Sequence, residues 1–370
     1  MSKNIDLAKN WLINSGIQNL EGEHKGAFNS WFDINTKKYP YAYSEITGYG
    51  ITTLLFMYQL NKENVFLERA KMAADWIMNK ATHKSGGILT RYFYEETEFM
   101  GSFENEEIFL FDCGMVLNGM VSLYDTTKDK KYLIFCKRLA DFILNKQKPD
   151  GGFYAVYNGK NNSLIDNGEK WSTQSGALHN KLAIGLLKLH QITKEEKYKE
   201  SAINACENNK KFFKNDGRVV NFSKTGNSLF HPHCYAIEGL YAAGNYLNNK
   251  EYLELAKKAT KYLFTIQKEN GGIPQMFKDG KLVEFERSDI LGQTLRAGIL
   301  FSIEKIKLEK LKNRLFEFQN LEGEQKGGFK YGFDDSGKKY DHLNSWCTMF
   351  ALQAMILLEN KVNFDGFLIV

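Results

Sequence analysis

The stretches Gln18-Asn19-Leu20-Glu21-Gly22-Glu23 and Gln319-Asn320-Leu321-Glu322-Gly323-Glu324 have the same residue order and lie near opposite ends of the 370-residue chain. Each leads into a glycine step, Gly26-Ala27-Phe28 in the first case and Gly327-Gly328-Phe329 in the second. A match between the first and last segments of a repetitive chain indicates that the terminal repeats become neighbours. The sequence therefore favours a closed ring over the alternative, an open helical solenoid.

Related glycine steps recur about every 55–65 residues between these ends, at Gly86-Gly87-Ile88, Gly151-Gly152-Phe153, Asp216-Gly217-Arg218 and Gly271-Gly272-Ile273. At a rise of ~1.5 Å per residue, that interval accommodates two helices and their connections. The repeat therefore predicts six helical hairpins that form a single domain over residues 1–370.

Each repeat places a charged amphipathic helix before the glycine step and a less charged helix after it. In the segment Val65–Lys80, for example, Leu67, Ala70, Ala74 and Ile77 follow helical spacing. The helices after the steps carry little charge on any face and must be buried. They are predicted at Ser44–Leu60, Phe111–Tyr124, Gln174–Leu189, His233–Tyr246, Ile290–Ile303 and Asn344–Leu358. The fold expected is an all-α (α/α)6 barrel with an outer and an inner ring of helices.

Composition excludes several classes of protein. Hydrophobic residues make up 43% of the chain and charged residues 25%, which is ordinary for a globular protein. The net charge of +5 is spread without a basic stripe, so no nucleic-acid partner is expected. No apolar run reaches the ~18 residues that a membrane span needs. The five cysteines are far apart, which argues against disulfides and zinc and favours a cytoplasmic location. No cofactor is predicted, and the oligomeric state is left open.

Three residues near the starts of inner helices are the candidate catalytic groups. Six helix N-termini around one mouth suit polar or anionic ligands. Glu45 is interpreted as a general acid or base whose pKa is raised by enclosure, and alternatively as a first-turn acid that complements the helix dipole. Asp112 is either catalytic or a simple N-cap. His231, in His231-Pro232-His233-Cys234, is interpreted as a general base or sugar ligand, with helix capping as the alternative; a metal half-site is disfavoured because no matching ligand pair is found.

A second set of residues is predicted to contact the substrate. Aromatic side chains in the loops offer flat surfaces for sugar rings or isoprenoid chains. Asp289 is expected to pair with Arg287, and Arg296 is expected to meet a uronate carboxylate. The predicted contact residues are Tyr43, Tyr49, Trp171, Gln174, His233, Asp289, Arg296 and Asn344.

The six-fold hairpin repeat resembles the α/α-toroid proteins. One arm of that group contains six-hairpin glycosidases, unsaturated-uronyl hydrolases, polysaccharide lyases and sugar 2-epimerases; the other contains prenyltransferase β subunits and terpene cyclases. Three motifs look most like a family encoded among polysaccharide-biosynthesis genes. They are Tyr43-Ser44-Glu45-Ile46-Thr47-Gly48-Tyr49, the run from His231 to Tyr235-Ala236, and Gly327-Gly328 followed by Leu343-Asn344 and Cys347. That family usually has proline where this chain has Ser44.

Three functions are consistent with these features. The first is a carbohydrate-active enzyme (hydrolase, lyase or epimerase) that acts on a sugar or glycan, with an acidic one favoured, by general acid/base chemistry. The second is a glycan-binding or scaffold toroid without catalytic activity. The third is a terpene cyclase or prenyltransferase, which is disfavoured because the chain has only Asp334-Asp335 and the adjacent Asp112-Cys113 where such enzymes have longer acid or Asp-x-Cys motifs.

Overall fold

Two kinds of helix alternate along the chain in this computed structural model, which describes residues 2–95, 106–359 and 365–370. The outer helices are α1 (Lys3–Asn14), α3 (Asn64–Trp76), α5 (Lys130–Leu144), α7 (Glu196–Asn209), α9 (Lys250–Thr265) and α11 (Lys305–Phe316). The inner helices are α2 (Ser44–Asn61), α4 (Leu110–Thr127), α6 (Leu182–Thr193), α8 (Phe230–Leu247), α10 (Ser288–Leu300) and α12 (Ser345–Glu359). The chain is an (α/α)6 toroid, as the repeat predicts.

Outer helix α9 shows how the sequence pattern decides which ring a helix joins. Its buried residues include Tyr252, Ala256, Ala259 and Leu263, at intervals of four, three and four residues. That spacing produces one apolar stripe on an otherwise charged helix. The stripe packs inwards and the lysine-rich face remains in solvent.

Inner helix α2 is buried all round, because every residue from Ser44 to Met57 is buried. Its small residues let neighbouring helices approach closely. A Cβ on Gly48 would lie 2.8 Å from the main chain of Met115 on α4, closer than real Cβ contacts. The glycine is therefore required by the packing of two inner helices, and the low charge of the inner set follows from burial.

The ring closes through direct contacts between the first and last repeats. Gln319 Nε2 donates to the main-chain oxygen of Asn4 on α1 at 2.8 Å. Gly327 has φ +109° and approaches α1 so closely that a Cβ would lie 2.0 Å from the Leu7 oxygen. Any other residue would be strained there and would collide with the helix. These contacts exclude the open solenoid.

The glutamine that precedes several glycine steps has one repeated structural role. Gln18 Nε2 donates to the main-chain oxygens of Gly26 and of Arg69 on the next outer helix, at 3.0 Å each. Gln147 and Gln267 make the same pair of bonds further round the ring. Gln319 makes it onto α1. The repeated glutamine thus fastens each glycine step to the following repeat.

Short strands, which the helical repeat does not predict, line the end of the toroid where inner helices begin. They arise because the long connecting loops must satisfy their own main-chain hydrogen bonds. The strands are β1 (Trp31–Phe32), β2 (Tyr41–Tyr43), β3 (Arg91–Phe93), β4 (Glu107–Phe109), β5 (Val156–Asn158), β6 (Leu164–Ile165), β7 (Ser228–Leu229), β8 (Met276–Lys278), β9 (Lys281–Val283), β10 (Phe329–Phe333) and β11 (Lys339–Asn344).

All pairings between these strands are antiparallel. They give the sheets β1-β11-β10, β2-β3, β4-β5-β6 and β7-β8-β9. Strands β2, β4, β7 and β11 each end at the residue before an inner helix. The pairing β1-β11 joins the first repeat to the last and so also closes the ring.

The third inner helix begins later than predicted. The sequence pattern places its start at Gln174, but α6 starts at Leu182 and is preceded by 3-10 turns at Trp171–Thr173 and Ala177–Lys181. Ser175 explains the delay, because its main-chain N–H donates to Asp166 and its hydroxyl donates to the Phe153 oxygen. Those bonds hold this segment in the loop conformation.

The segment 365–370 lies among the inner helices. Leu368, Ile369 and Val370 are buried. Gln353 Nε2 on α12 donates to the Leu368 oxygen at 2.7 Å. Across the described ranges, no helix is both long and apolar enough to cross a membrane.

Candidate active site

A cavity of about 340 Å³ opens at the end of the toroid where the inner helices begin. Most of its wall is aromatic, and titratable groups stand between the rings. We call this cavity the aromatic chamber; its walls are Trp31, Tyr41, Tyr43, Glu45, Ile46, Arg91, Trp171, His231, Tyr235, Arg287, Tyr331, Asp334, Tyr340, His342 and Trp346.

A second cavity of about 390 Å³ adjoins the first and is called the side chamber. Four residues line both chambers, namely Tyr43, Glu45, Arg91 and Trp171. The remaining walls of the side chamber are Phe109, Phe111, Asp112, Glu169, Lys170, Ser172 and Phe222. The two predicted catalytic carboxyls, Glu45 and Asp112, thus line the same chamber.

Local backbone structure brings Glu45, Asp112 and Arg91 together. Glu45 and Asp112 each lie in the first turn of an inner helix, α2 and α4. Arg91 lies on β3. This strand pairs with β2, and the pairing places Arg91 opposite Tyr43. The main-chain N–H of Ser44 donates to the Thr90 oxygen at 2.9 Å and fixes this junction.

The two carboxyls are held in unequal environments. Burial and the nearby charge of Glu45 raise the pKa of Asp112 well above its usual range, and Asp112 is hydrogen-bonded to the Thr90 hydroxyl. Burial also raises the pKa of Glu45, but Tyr43, Arg91 and Lys181 act in the opposite direction. When two neighbouring carboxyls differ in pKa, the one with the higher pKa can act as the acid and the other as the base or nucleophile.

Arg91 is the cation at the junction of the chambers. Its guanidinium lies over the ring of Tyr43 at 4.8 Å and over that of Tyr41 at 5.4 Å. Stacking on aromatic faces is favourable for a planar guanidinium and fixes its orientation. Arg91 therefore provides a fixed positive charge beside Glu45.

His231 presents an unprotonated nitrogen to the aromatic chamber. Its Nδ1 lies 2.7 Å from Gln293 Oε1 and 3.3 Å from Asp289 Oδ2, and both are acceptors. Nδ1 therefore carries the proton, which leaves Nε2 as the basic atom. Burial lowers the pKa of His231 to about 4, so the ring is neutral near pH 7. Nε2 has no hydrogen-bond partner among the described residues.

His342 and the aromatic residues around it form another part of the wall of the aromatic chamber. Trp31 stacks on His342 with ring centroids 4.6 Å apart, and Tyr331 lies 5.3 Å from His342. The Arg287 guanidinium lies 4.6 Å over Tyr331. Burial lowers the pKa of His342 to about 4. A second neutral imidazole thus lines the chamber.

The structure brings most of the predicted catalytic and aromatic residues together. Tyr43, Glu45, Trp171 and His231 line the aromatic chamber, and Asp112 lines the side chamber. Asp289 lies behind this wall, where it accepts from Arg287 Nε at 3.1 Å and from Trp346 Nε1 at 3.2 Å. Asp289 therefore acts on the chamber through Arg287, Trp346 and His231 rather than by contact with a ligand.

Three predicted contact residues need correction, because they lie away from the chambers and make structural hydrogen bonds. His233 accepts from the Val219 N–H and contacts the Ala259 oxygen, 3.1 Å away in each case. Asn344 Oδ1 caps α12 by accepting from the Cys347 N–H at 3.2 Å. Gln174 Nε2 donates to the Gly168 oxygen within its own loop. At these three positions, a place near a predicted helix start did not put the side chain in a chamber wall.

Arg296 is also corrected, because it belongs to a fully buried group that we call the core cluster: Lys181, Glu238, Arg296, Gln353 and Val370. Arg296 donates to Gln353 Oε1 at 2.8 Å, to the Val370 oxygen at 2.7 Å and to Glu238. Lys181 lies 2.8 Å from Glu238 Oε2. Arg296 is fully buried and lines neither chamber, so it does not meet a ligand there.

Tyr49 lies between the core cluster and the aromatic chamber. It is only 2% exposed. The Lys181 ammonium lies 4.8 Å over its ring and 4.4 Å over that of Tyr235. Tyr49 therefore supports the chamber floor, while Tyr235 belongs to the wall itself.

Arg91 is a site residue that the sequence did not single out, because it lies neither at the start of an inner helix nor on an inner wall. Arg91 lies instead in Thr90-Arg91-Tyr92-Phe93, directly after a glycine step. A cationic residue followed by aromatic residues that favour strands is the signal there. The same signal occurs at Lys330-Tyr331, after the last step.

Metal-ligating side chains do not cluster in residues 2–95, 106–359 and 365–370. No group of three or more His, Cys, Asp or Glu residues in those ranges is placed to hold a metal ion. The five cysteines are buried and unbridged.

Comparison with protein-family models gives one match. Residues 62–298 match the model of the beta-L-arabinofuranosidase GH127 catalytic domain, a span that exceeds half of the chain. Asp112 and His231 fall inside the matched stretch, and Glu45 precedes it. A search of curated protein sequences finds no significant match.

Solved structures share the fold over nearly the whole chain at low sequence identity. Cellobiose 2-epimerase from Bacillus thermoamylovorans B4167 aligns with a TM-score of 0.76 and 12% identity, covering 97% of this chain and 100% of that one. A sugar epimerase from a ruminal bacterium gives 0.74 and 14%, with 95% and 98% coverage. Unsaturated glucuronyl hydrolase from Bacillus sp. GL1 gives 0.69 and 15%, with 97% coverage of both chains.

Proposed function

The chain belongs to the family of the beta-L-arabinofuranosidase GH127 catalytic domain, within the six-hairpin glycosidase-like α/α toroids, and from that premise we propose that it hydrolyses a glycosidic bond at the junction of its two chambers. Its family places it among carbohydrate-active enzymes. To that assignment we add the reaction, the catalytic residues and a preference for a sugar that carries an acidic group.

The observation that carries the proposal is the unequal carboxyl pair, Glu45 and Asp112. Glycoside hydrolysis uses one carboxylic acid to protonate the leaving oxygen and a second carboxylate as nucleophile or base. Asp112, with its strongly raised pKa, is the candidate acid. Glu45 lies near Arg91, whose positive charge favours the carboxylate, and is the candidate partner.

The remaining wall fits a sugar. Aromatic faces at Trp31, Tyr331 and Trp346 suit the C–H faces of a pyranose or furanose ring. Arg91 and Arg287 also line the aromatic chamber, so a carboxylate on the sugar would find positive charge there. This placement supports a preference for acidic sugars, with Arg287 in the role first given to Arg296.

The test compares the wild-type protein with Glu45→Gln, Asp112→Asn and the control Asp341→Asn at the exposed rim. The substrates are neutral and uronic-acid oligosaccharides, and released reducing ends are measured. We expect each carboxyl substitution to lower kcat/KM by about 10²–10⁴-fold, the usual contribution of acid/base catalysis. The control should stay within twofold. Unchanged turnover in both variants would remove the assignment.

A second candidate, sugar epimerisation, is favoured by a separate observation. His231 and His342 are both neutral and line the same chamber. Proton removal from a carbon beside a carbonyl needs such a base, with a second group to return the proton. Here His231 Nε2 would take the proton from the open-chain sugar. A His342 that had first been protonated by water would return a proton to the other face, and His231 would pass its own proton back to water.

Isotope exchange separates these two functions. Epimerisation in deuterated water places deuterium on carbon, whereas hydrolysis does not. If hydrolysis is the reaction, His231→Asn lowers the rate less than Glu45→Gln does, and no carbon-bound deuterium is found. Deuterium incorporation that is lost in His231→Asn but retained in Glu45→Gln would establish the second candidate instead.

A further inference from the structure

Residues 365–370, which we call the lumen segment, lie along the axis of the toroid. The 3-10 turn within the segment contacts α2, α4, α6 and α8. Gln353 on α12 donates to the Leu368 oxygen. Arg296 on α10 donates to the Val370 oxygen. The lumen segment is therefore in contact with every helix of the inner ring.

Contacts with α8, which begins at the mouth, show how deep the lumen segment lies. Phe367 packs edge-to-face on Tyr246 in the last turn of α8, with ring centroids 5.6 Å apart. Val370 lies near Glu238, because one guanidinium donates to both. At ~1.5 Å per residue, Glu238 lies about 10 Å below His231 along the helix, and Tyr246 lies about 22 Å below it. The segment thus extends from the end of the toroid opposite the chambers towards the chamber floor.

The inner end of the lumen segment supplies an acceptor to the core cluster. That cluster contains two cations, Lys181 and Arg296, and one carboxylate, Glu238. Both cations also donate to the Val370 oxygen, Lys181 at 2.9 Å and Arg296 at 2.7 Å. A buried charged donor that loses an acceptor is destabilised unless water takes its place. Without the lumen segment, we expect water to enter the lumen and Lys181 to leave its present position.

Lys181 connects the lumen segment to the candidate active site. Its ammonium lies over the rings of Tyr49 and Tyr235, and Tyr235 lines the aromatic chamber. Burial raises the pKa of Glu45, and the charge of Lys181 acts in the opposite direction. A change in the position of Lys181 therefore affects the chamber without any contact between the lumen segment and a ligand.

We propose that the lumen segment is a positioning element of the active site, which closes the far end of the lumen and holds Lys181 beneath the aromatic chamber. Hydrogen bonds and apolar contacts hold the segment in the inner ring. A toroid that lacks it should therefore bind the same peptide added separately. The inference rests on the proposed function only for its effect on turnover, because closure of the lumen does not depend on the reaction.

Chemical labelling measures the closure without a substrate. A variant that lacks residues 365–370 and the full chain are treated with acetic anhydride and analysed by mass spectrometry. Lys181 is completely buried in the full chain, so it should be acetylated only in the truncated variant. The peptide of residues 365–370, acetylated at its start and amidated at its end, should restore the protection. Protection of Lys181 in the truncated variant, or labelling that the peptide does not reduce, would overturn the inference.

Cys206, which is buried on outer helix α7, reports unfolding of the whole domain. In a folded truncated variant it should stay unreactive towards iodoacetamide, with and without the peptide. Alkylation of Cys206 would show that the truncated variant does not fold, and the decision then passes to a substitution in the full chain.

Phe367→Ala in the full chain provides that second test. The Lys188 ammonium lies 5.2 Å from the Phe367 ring, and neither residue lines a chamber. The substitution should loosen the segment and speed acetylation of Lys181 relative to alkylation of Cys206. The control Leu263→Ala removes a buried side chain of α9 and should speed both reactions equally. The same ratio in both variants would show that the segment opens only with the whole fold, and the inference would be wrong.

Turnover separates failure of this inference from failure of the proposed function. We expect kcat/KM of the truncated variant to fall about tenfold or more, chiefly in kcat, and to recover with the peptide. If the wild-type protein releases no reducing ends although the peptide protects Lys181, closure stands and hydrolysis is rejected. If the truncated variant has full turnover although its Lys181 is acetylated by the reagent, hydrolysis stands and the positioning role is rejected.

Discussion

The core cluster and the wall between the two chambers both bury ionisable side chains, yet their carboxyls respond in opposite directions. Burial opposes ionisation of Glu238, but Arg296 and Lys181 outweigh it and lower its pKa. Asp112 has no cation in direct ion-pair contact among the described residues, and burial together with Glu45 raises its pKa. The difference lies in pairing, because both carboxyls are almost completely buried.

That difference indicates which cluster stabilises the fold and which is available for chemistry. In the core cluster, the charges of Lys181 and Arg296 are paired with Glu238, and both side chains also donate to the main-chain oxygen of Val370. At the chamber wall, the Glu45 and Asp112 carboxyls and His231 Nε2 still have proton-transfer capacity. Functional sites characteristically keep such incompletely compensated groups, at a cost in stability.

The largest expected effect concerns pH, because neutral buried imidazoles lie at the chamber wall (His231) and elsewhere in the interior (His179 and His233). Burial lowers the pKa of His231 and His233 to about 4 and that of His179 to about 3. A folded-state pKa below the unfolded value of about 6.5 gives stability that is present above pH 6.5 and lost as the pH falls through the folded value. Between pH 6.5 and 4.5 we expect each imidazole to cost about 2 kcal/mol.

Urea unfolding at a series of pH values measures this loss. NMR of ¹⁵N-labelled histidine should in addition show His231 protonated on Nδ1 and neutral at pH 6. A free energy of unfolding that stays constant from pH 6.5 to 4.5 would show that these imidazoles become charged in the folded protein. The role of His231 as a neutral base would then be rejected.

The next largest effect is expected from Glu238→Gln, which leaves Lys181 and Arg296 buried with too little negative charge. Removing one partner of a buried ion pair lowers the free energy of unfolding by about 3–5 kcal/mol. The control is Glu251→Gln, whose partner Lys210 is at the surface, and it should change stability by less than about 0.5 kcal/mol. A Glu238→Gln variant as stable as the control would contradict the structural role given to the core cluster.

The toroid could be predicted from the sequence because its physical causes are repeated along the chain. Glycine steps, the preceding glutamines and the alternation of charged and uncharged helices each recur, and Gln319 with Gly327 indicated closure. The short strands could not be predicted in the same way, because they form between segments such as Trp31–Phe32 and Lys339–Asn344 that only ring closure brings together.

Position at a helix start predicted the site only in part. Glu45, Asp112 and His231 begin inner helices and line the chambers, but His233 begins the same helix as His231 and points into the core. Two residues along a helix turn a side chain by about 200°. Which of the two faces the mouth depends on how α8 is rotated against its neighbours, and a single sequence does not record that rotation.

Lys181→Met tests whether the two regions influence one another. The Lys181 charge favours ionisation of Glu45, which is otherwise opposed by burial. We expect the variant to lose about 1–3 kcal/mol of stability through the unpaired acceptors and to raise the pKa of Glu45. The pKa is followed by comparing stability with and without Glu45→Gln across pH, in both backgrounds. An identical pH dependence in the two backgrounds would show that the core cluster is electrically separate from the site.

The smallest expected effect has the opposite sign: Asp112→Asn should stabilise the protein at pH 7. A carboxyl whose folded-state pKa is raised costs the protein stability as the pH rises from the unfolded pKa towards the folded one, so Asp112 destabilises the fold at neutral pH. Removing the Asp112 carboxyl should therefore stabilise the protein by about 0.5–2 kcal/mol, as substitutions at functional sites often do.

The gain should vanish below the unfolded pKa of about 3.9. The control Asp341→Asn, at the exposed rim, should show no gain at any pH. If Asp112→Asn instead destabilises the protein at pH 7 as Glu238→Gln does, then Asp112 is a structural carboxylate like those of the core, and the acid of the proposed reaction must be sought elsewhere in the chambers.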